Sequence, residues 1–128
     1  MLVKDVMISK VVTVSPFATL REALSLMKHH QLKSLVVDKT NEHDAYGLIT
    51  YTNIIKTVVA ESGDIDLINV YDICAKPVIS VGQSLSVKHV ASLMTRHRVK
   101  RVVVLNDNDL IGLVCMNDIV QTLMNDIE

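Results

Sequence analysis

Aromatic side chains are nearly missing from this chain: one Phe, three Tyr and no Trp among 128 residues. That scarcity removes the stacking platforms with which single-stranded nucleic acid is held. The formal net charge is −1, so no excess of either sign points to nucleic acid or to an anionic membrane surface. The two cysteines, Cys74 and Cys115, have neither CxxC spacing nor a disulfide-rich setting, and free thiols in a reducing compartment are expected. No apolar run approaches the ~18 residues of a membrane span, and the opening Met1-Leu2-Val3-Lys4-Asp5 has no signal-peptide core. A cytoplasmic protein without membrane association is the expectation. His29, His30, His43, His89 and His97 form no ligand pattern with a Cys or carboxylate, so no metal is expected. Cys115 as a nucleophile would need a base and an oriented third group, which no pattern supplies; no catalytic residue and no enzyme activity are expected.

What the chain does contain is a duplication. Shifting it by 67 positions matches Val3–Val37 with Val70–Val104 and gives eleven identities in thirty-five, among them Val3, Asp5, Met27, His30, Lys33 and Val36. Ordinary residue usage gives about two or three. The frame then slips by two, because Lys39–Tyr46 is two residues longer than Asn106–Ile111, and Gly47 aligns with Gly112. A length change of that kind belongs in a hairpin loop. The chain therefore divides into repeat one (1–63), a linker (64–69) and repeat two (70–128), and a length of 128 residues suffices for a core without staples.

Each repeat reads strand, helix, strand, strand, helix, which predicts an α+β fold. In the first, Val11–Val14 is a strand stopped by Ser15-Pro16. Thr19 with Glu22 makes a capping box, and Leu20, Ala23, Leu24 and Met27 then share one helical stripe as far as His30. Ser34–Asp38 and Ala45–Thr50 are paired strands, and Ile54, Ile55, Val58 and Val59 repeat at helical spacing before the Gly63 stop. In the second, Val78–Val81, a helix capped by Ser86 with Val87, Val90, Ala91 and Met94 inward, and the strands Arg101–Leu105 and Leu110–Cys115 follow the same plan. Ile119, Val120, Leu123, Met124 and Ile127 are expected to form the buried face of the last helix.

The chemistry concentrates where the last strand of each repeat runs into a helix: Gly47-Leu-Ile-Thr-Tyr-Thr-Asn53 and Gly112-Leu-Val-Cys-Met-Asn-Asp118. Such a turn sets backbone N–H groups, a hydroxyl or thiol (Thr50, Cys115) and an acceptor (Asn53, Asp118) at a helix start, a site suited to an anion and sugar hydroxyls. A plainer reading stays open, because Thr50 and Asn53 also serve as ordinary helix caps. The basic run Arg96, Arg98, Lys100, Arg101 reads either as a solvated helix end or as a phosphate contact.

With these two motifs in sequence, the chain resembles a tandem pair of cystathionine-β-synthase (CBS) domains, the Bateman module, over nearly its whole length. The resemblance implies two pseudo-twofold-related repeats that dimerise again and bind an adenosine-type ligand, such as AMP, ADP, ATP or S-adenosylmethionine, in the cleft between repeats. It implies a stand-alone regulatory or sensor module that needs no cofactor and signals to an unidentified regulated protein through a ligand-linked change. In the family the motif's Asp holds the ribose hydroxyls and its Thr or Ser helps hold ribose or phosphate. Carried over, these roles fall on Asp118 and Thr50, with Asn53 standing in for Asp and Cys115 for Thr. Val12-Thr13 and Ile79-Ser80 end the first strand of each unit, where the family offers backbone groups to the adenine edge and a hydroxyl nearby; Lys33 and Lys100 sit at matching positions before the second strand with Arg101 beside the latter, and a phosphate would need one or two such cations close by. A carboxylate contributes ~1.5–3 kcal/mol per charged hydrogen bond and a neutral amide ~0.5–1.5, so the Asp118 site is expected to be the stronger by roughly tenfold. The alternative function is a ligand-free dimerisation or protein-docking module, favoured by the incompleteness of both motifs.

Overall fold

The computed structural model describes Met1–Ile127. Its elements are α1 (Val3–Val6), β1 (Thr13–Val14), α2 (Leu20–His30), β2 (Ser34–Val37), β3 (Gly47–Thr50), α3 (Tyr51–Ile54), α4 (Val70–Ile73), β4 (Ser80–Val81), α5 (Val87–Arg96), β5 (Arg101–Asn106), β6 (Asp109–Cys115) and α6 (Met116–Asn125). The fold is α+β, with two three-stranded sheets of order β1-β2-β3 and β4-β5-β6. In each sheet the first strand runs parallel to the second and the third antiparallel to it.

Packing divides the chain into two units, and the sequence repeats do not coincide with them. One unit is Val12–Val78; the other joins Met1–Val11 to the chain from Ile79 onward.

In the Val12–Val78 unit, Leu20, Ala23 and Met27 of α2 pack with Leu35, Val37 and Ile49 of the sheet. Thr19 caps α2 by accepting from the Glu22 N–H at 3.2 Å, as its spacing predicts. The segment Asp64–Asn69, expected as a linker, is part of this unit: the Arg21 and Leu20 N–H groups donate to the carbonyls of Ile65 and Ile68, each at 3.0 Å, and both isoleucines pack against the core. Beyond it, Ala75 bridges Leu48 along the free edge of β3. Gly47 is required for that approach, because a Cβ there would lie 2.9 Å from the Ala75 carbonyl oxygen.

The other unit repeats these relations with different partners. Val3 of α1 is fully buried among Val81, Val90, Met94, Val102 and Val114, and Ile8 bridges Leu113 on the edge of β6. Gly112 takes the place of Gly47, with a Cβ at 2.6 Å from the Met7 sulfur. Ser86 caps α5 through the His89 N–H at 3.2 Å, and the His89 ring nitrogen lies 2.7 Å from the same hydroxyl, a contact with the cap's side chain rather than with the Ser86 N–H that the glutamate of a box would bind. A two-residue turn at Asp107-Asn108, both with positive φ, joins β5 to β6 as a tight hairpin.

The later helix of each repeat buries less than its apolar spacing suggests. After α3 the chain widens into a π-helical stretch, Ile55–Ala60, and Ile55 and Val59 are 56% and 71% exposed. On α6 only Ile119 is buried; Val120, Leu123 and Met124 are exposed, as is Ile127 beyond the end of the helix. Helical spacing marks an apolar stripe, but burial needs a second surface, and the unit's own sheet covers only the Ile119 side.

Candidate functional site

Strand direction brings the candidate residues to one end of each sheet. The starts of two parallel strands and the end of the antiparallel third share an edge, so in the Val12–Val78 unit Val12, Thr13, Lys33 and Thr50 fall together with Asn53 one turn into α3. In the other unit Ile79, Ser80, Lys100, Arg101 and Cys115 fall together, with Asp118 one turn into α6.

The two ends differ in how their polar groups are used. Thr50 and Asn53 close on each other: Asn53 Oδ1 accepts from the Thr50 N–H and hydroxyl, each at 3.0 Å, and Thr50 Oγ1 accepts from the Asn53 N–H at 3.3 Å. This reciprocal box satisfies the helix start without a ligand. At the other end Cys115 makes no side-chain cap, and Asp118 Oδ2 is buried with no hydrogen-bond partner, the one such side-chain atom among the described residues. An unsatisfied buried acceptor costs about 1–3 kcal/mol, more when charged, and a group of that kind calls for a donor.

Some expected ligand contacts are already engaged within the protein. The first N–H of α3, on Tyr51, donates to the Lys33 carbonyl at 3.1 Å, and that of α6, on Met116, donates to the Lys100 carbonyl at 2.8 Å. Neither is left for an anion. The carbonyls of Val12 and Ile79 accept from Val36 and Val103 at 3.3 and 3.0 Å, as parallel ladders require, while their side chains pack against their own cores. Thr13 is half-buried and Ser80 exposed.

Electrostatics separate the ends further. Lys33 and Lys100 are exposed and Arg101 is half-buried, its strand position paired with Cys115. Burial pushes the Cys115 thiol above its ordinary pKa, the Asp118 carboxylate adds to the rise, and Arg101 opposes it. The thiol therefore stays protonated at neutral pH, a weak donor rather than a nucleophile. No cluster of His, Cys, Asp or Glu able to hold a metal occurs among the described residues, and none of their helices is long and apolar enough to cross a membrane.

The sequence reading missed a groove beside α3, about 340 Å³ and lined by Asn53, Lys56, Thr57, Glu61, Asp72 and Ile73. Asp72 and Ile73 come to it from α4, and no local pattern connects that element with the helix after β3.

Comparison with known proteins agrees with this architecture. The CBS domain model matches twice, at residues 3–60 and 70–125. The chain is 29% identical to the CBS domain-containing protein YhcV of Bacillus subtilis, covering 96% of this chain and 86% of that one. It is 34% identical to protein MK0525 of Methanopyrus kandleri but spans only 57% of that protein's length. It also resembles an inosine-5′-monophosphate dehydrogenase of Methanocaldococcus jannaschii, 31% identical, of which it covers 22%. Among solved structures, the hexameric CBS-CP12 protein of bloom-forming cyanobacteria superposes with a TM-score of 0.88 at 35% identity, over 94% of this chain and 71% of that one. The CBS domain pair of protein MJ0100, solved in complex with 5′-methylthioadenosine and S-adenosylmethionine, gives 0.82 at 26% identity, over 96% and 99%. Two matched repeats, the strand and helix order and the glycine-opened turns all lead to one assignment: this chain belongs to the CBS domain family and carries two of its domains in tandem.

Proposed function

We propose that this chain is a regulatory module that binds an adenosine-type ligand, AMP, ADP, ATP or S-adenosylmethionine, at the sheet end that carries Asp118, and that binding shifts a conformational equilibrium read by a partner protein. The observation that carries the reading is the unpartnered Asp118 Oδ2. A ribose offers adjacent hydroxyl donors to one carboxylate, and such charge-assisted bonds are the strong ones. The adenosine ligands of the MJ0100 pair support this chemistry by likeness. Because Asn53 is engaged with Thr50, one strong site per chain is expected. A ligand alters the equilibrium only by its differential affinity for the two states.

Isothermal titration of the whole chain with each of the four ligands tests this, alongside thermal denaturation. A ligand at ~100 times its dissociation constant adds about 2.7 kcal/mol of stability. No heat and no shift with any of them would reject the reading.

A second reading, assembly through α6, is favoured by the exposure of Leu123 at 63% and Met124 at 56% beside Val120. We propose that this face pairs with a second copy, forming a homodimer. Light scattering on the wild type and on Leu123→Lys tests it; a monomeric wild type at micromolar concentration would reject it.

A further inference from the structure

The geometry points to a ligand chosen by its tail: we propose that the Asp118 site takes adenosine nucleotides carrying two or more phosphates and disfavours S-adenosylmethionine. The proposal rests on the adenosine reading above and narrows it. Four positions related by the 67-residue repeat diverge in charge, with His29, Gln31, Lys33 and Ser34 in the first copy against Arg96, Arg98, Lys100 and Arg101 in the second. One permanent cation has become four. No Asp or Glu occurs anywhere from Ile73 to Asn106, and among the described residues Arg96, Arg98 and Lys100 enter no ion pair.

The fold brings the segment that carries these cations beside the start of α6. Arg96 ends α5, and Arg98 adopts the left-handed conformation, φ 56°, which turns the chain so that Lys100 and Arg101 lead into β5. The Lys100 carbonyl then receives the Met116 N–H, and Arg101 stands opposite Cys115. The first repeat has the same left-handed backbone at Gln31, so the charge at Arg98 is a difference of side chain on a shared turn.

A single phosphate group carries roughly −1.5 to −2 and is satisfied by one or two cations. A di- or triphosphate engages the rest, each charged contact being worth about tenfold or more in affinity. A sulfonium brings positive charge to a positive surface and is disfavoured by the same field.

Titrating the full chain with adenosine, AMP, ADP, ATP and S-adenosylmethionine, free of divalent cations and at two salt concentrations, tests the proposal. The expected result is ADP and ATP tighter than AMP by about tenfold or more and tighter than S-adenosylmethionine by about a hundredfold, with the advantage shrinking at high salt. The double variant Arg96→His, Arg98→Gln installs the residues of the first copy, where Gln31 already holds the same left-handed backbone at φ 55°, so the fold tolerates it. It is expected to reduce the ADP-over-AMP advantage to below about threefold while leaving adenosine binding unchanged. Equal affinities for AMP and ADP, or S-adenosylmethionine binding as tightly as ATP, overturn the inference and leave the adenosine reading standing. Failure of every adenosine compound to bind overturns both.

Discussion

Asp118→Ala and Asn53→Ala change equivalent positions of the two repeats, yet the structure requires opposite consequences. Asn53 Oδ1 accepts two hydrogen bonds from Thr50, and removing them costs about 0.5–1.5 kcal/mol each at a partly buried site, near the ~1 kcal/mol loss of a helix cap. The unliganded Asn53→Ala chain should lose about 1–2 kcal/mol and melt roughly 3–8 °C lower. Asp118→Ala removes a carboxylate whose Oδ2 has no partner and which acts on the Cys115 thiol, relieving about 1–3 kcal/mol of desolvation while forfeiting ~0.3–1 kcal/mol of favourable charge in the first turn of α6. Its melting temperature should hold or rise. Binding reverses the order: Asp118→Ala loses at least about tenfold in affinity for an adenosine ligand, and Asn53→Ala changes it by less than about threefold. Thermal unfolding by circular dichroism gives the first comparison and titration calorimetry the second. An unliganded Asp118→Ala chain as destabilised as Asn53→Ala, or equal affinity losses from both, would refute the assignment of a ligand acceptor to one position and a cap to the other.

Other consequences follow from single contacts. Gly47→Ala places a Cβ 2.9 Å from the Ala75 carbonyl, whereas Gly82→Ala meets nothing within 4 Å. Overpacking of about 1–3 kcal/mol, offset by ~0.4–1 kcal/mol of lost unfolded-state entropy, should destabilise the first, while the entropy term alone stabilises the second; equal melting temperatures would contradict this. Asp44, bonded to Lys76 and to the Thr40 N–H, has its carboxyl held well below the usual carboxylate range. Its contribution is therefore complete above about pH 4 and disappears as pH falls through the folded value, so Asp44→Asn should flatten the acid side of a stability–pH profile. The raised pKa of Cys115 predicts alkylation at pH 8 slower than that of an unperturbed thiol; labelling Cys74→Ser with iodoacetamide measures it, and a rate equal to glutathione's would contradict it.

Local patterns carried far in this chain. Thr19 and Ser86 announced the starts of α2 and α5, and Met27 and Met94, which end the two stripes, are buried at 1% and 0% exposure. Asp107-Asn108 occupies the short turn that the slipped repeat frame implied. The failures share one cause. Leu123 and Met124 satisfy helical periodicity as well as Met94 does, but periodicity reports only that a face is apolar, never what covers it. Asp64–Asn69 is polar enough to pass for a linker, yet Ile65 and Ile68 dock on a core that lies far from them along the chain.

From the residues alone came the duplication, the order of strands and helices, the α+β class and the pair of turns at Thr50 and Cys115, because these depend on periodicity, caps and breakers acting within a few positions. Tertiary structure decided that α1 packs with the second sheet rather than the first, that Gly47 admits the close approach of the Ala75 backbone, and that Asp118 Oδ2 is left without a partner. Those outcomes depend on which groups meet across tens of residues, and a hydrogen-bond acceptor is satisfied or orphaned only once its surroundings have closed around it.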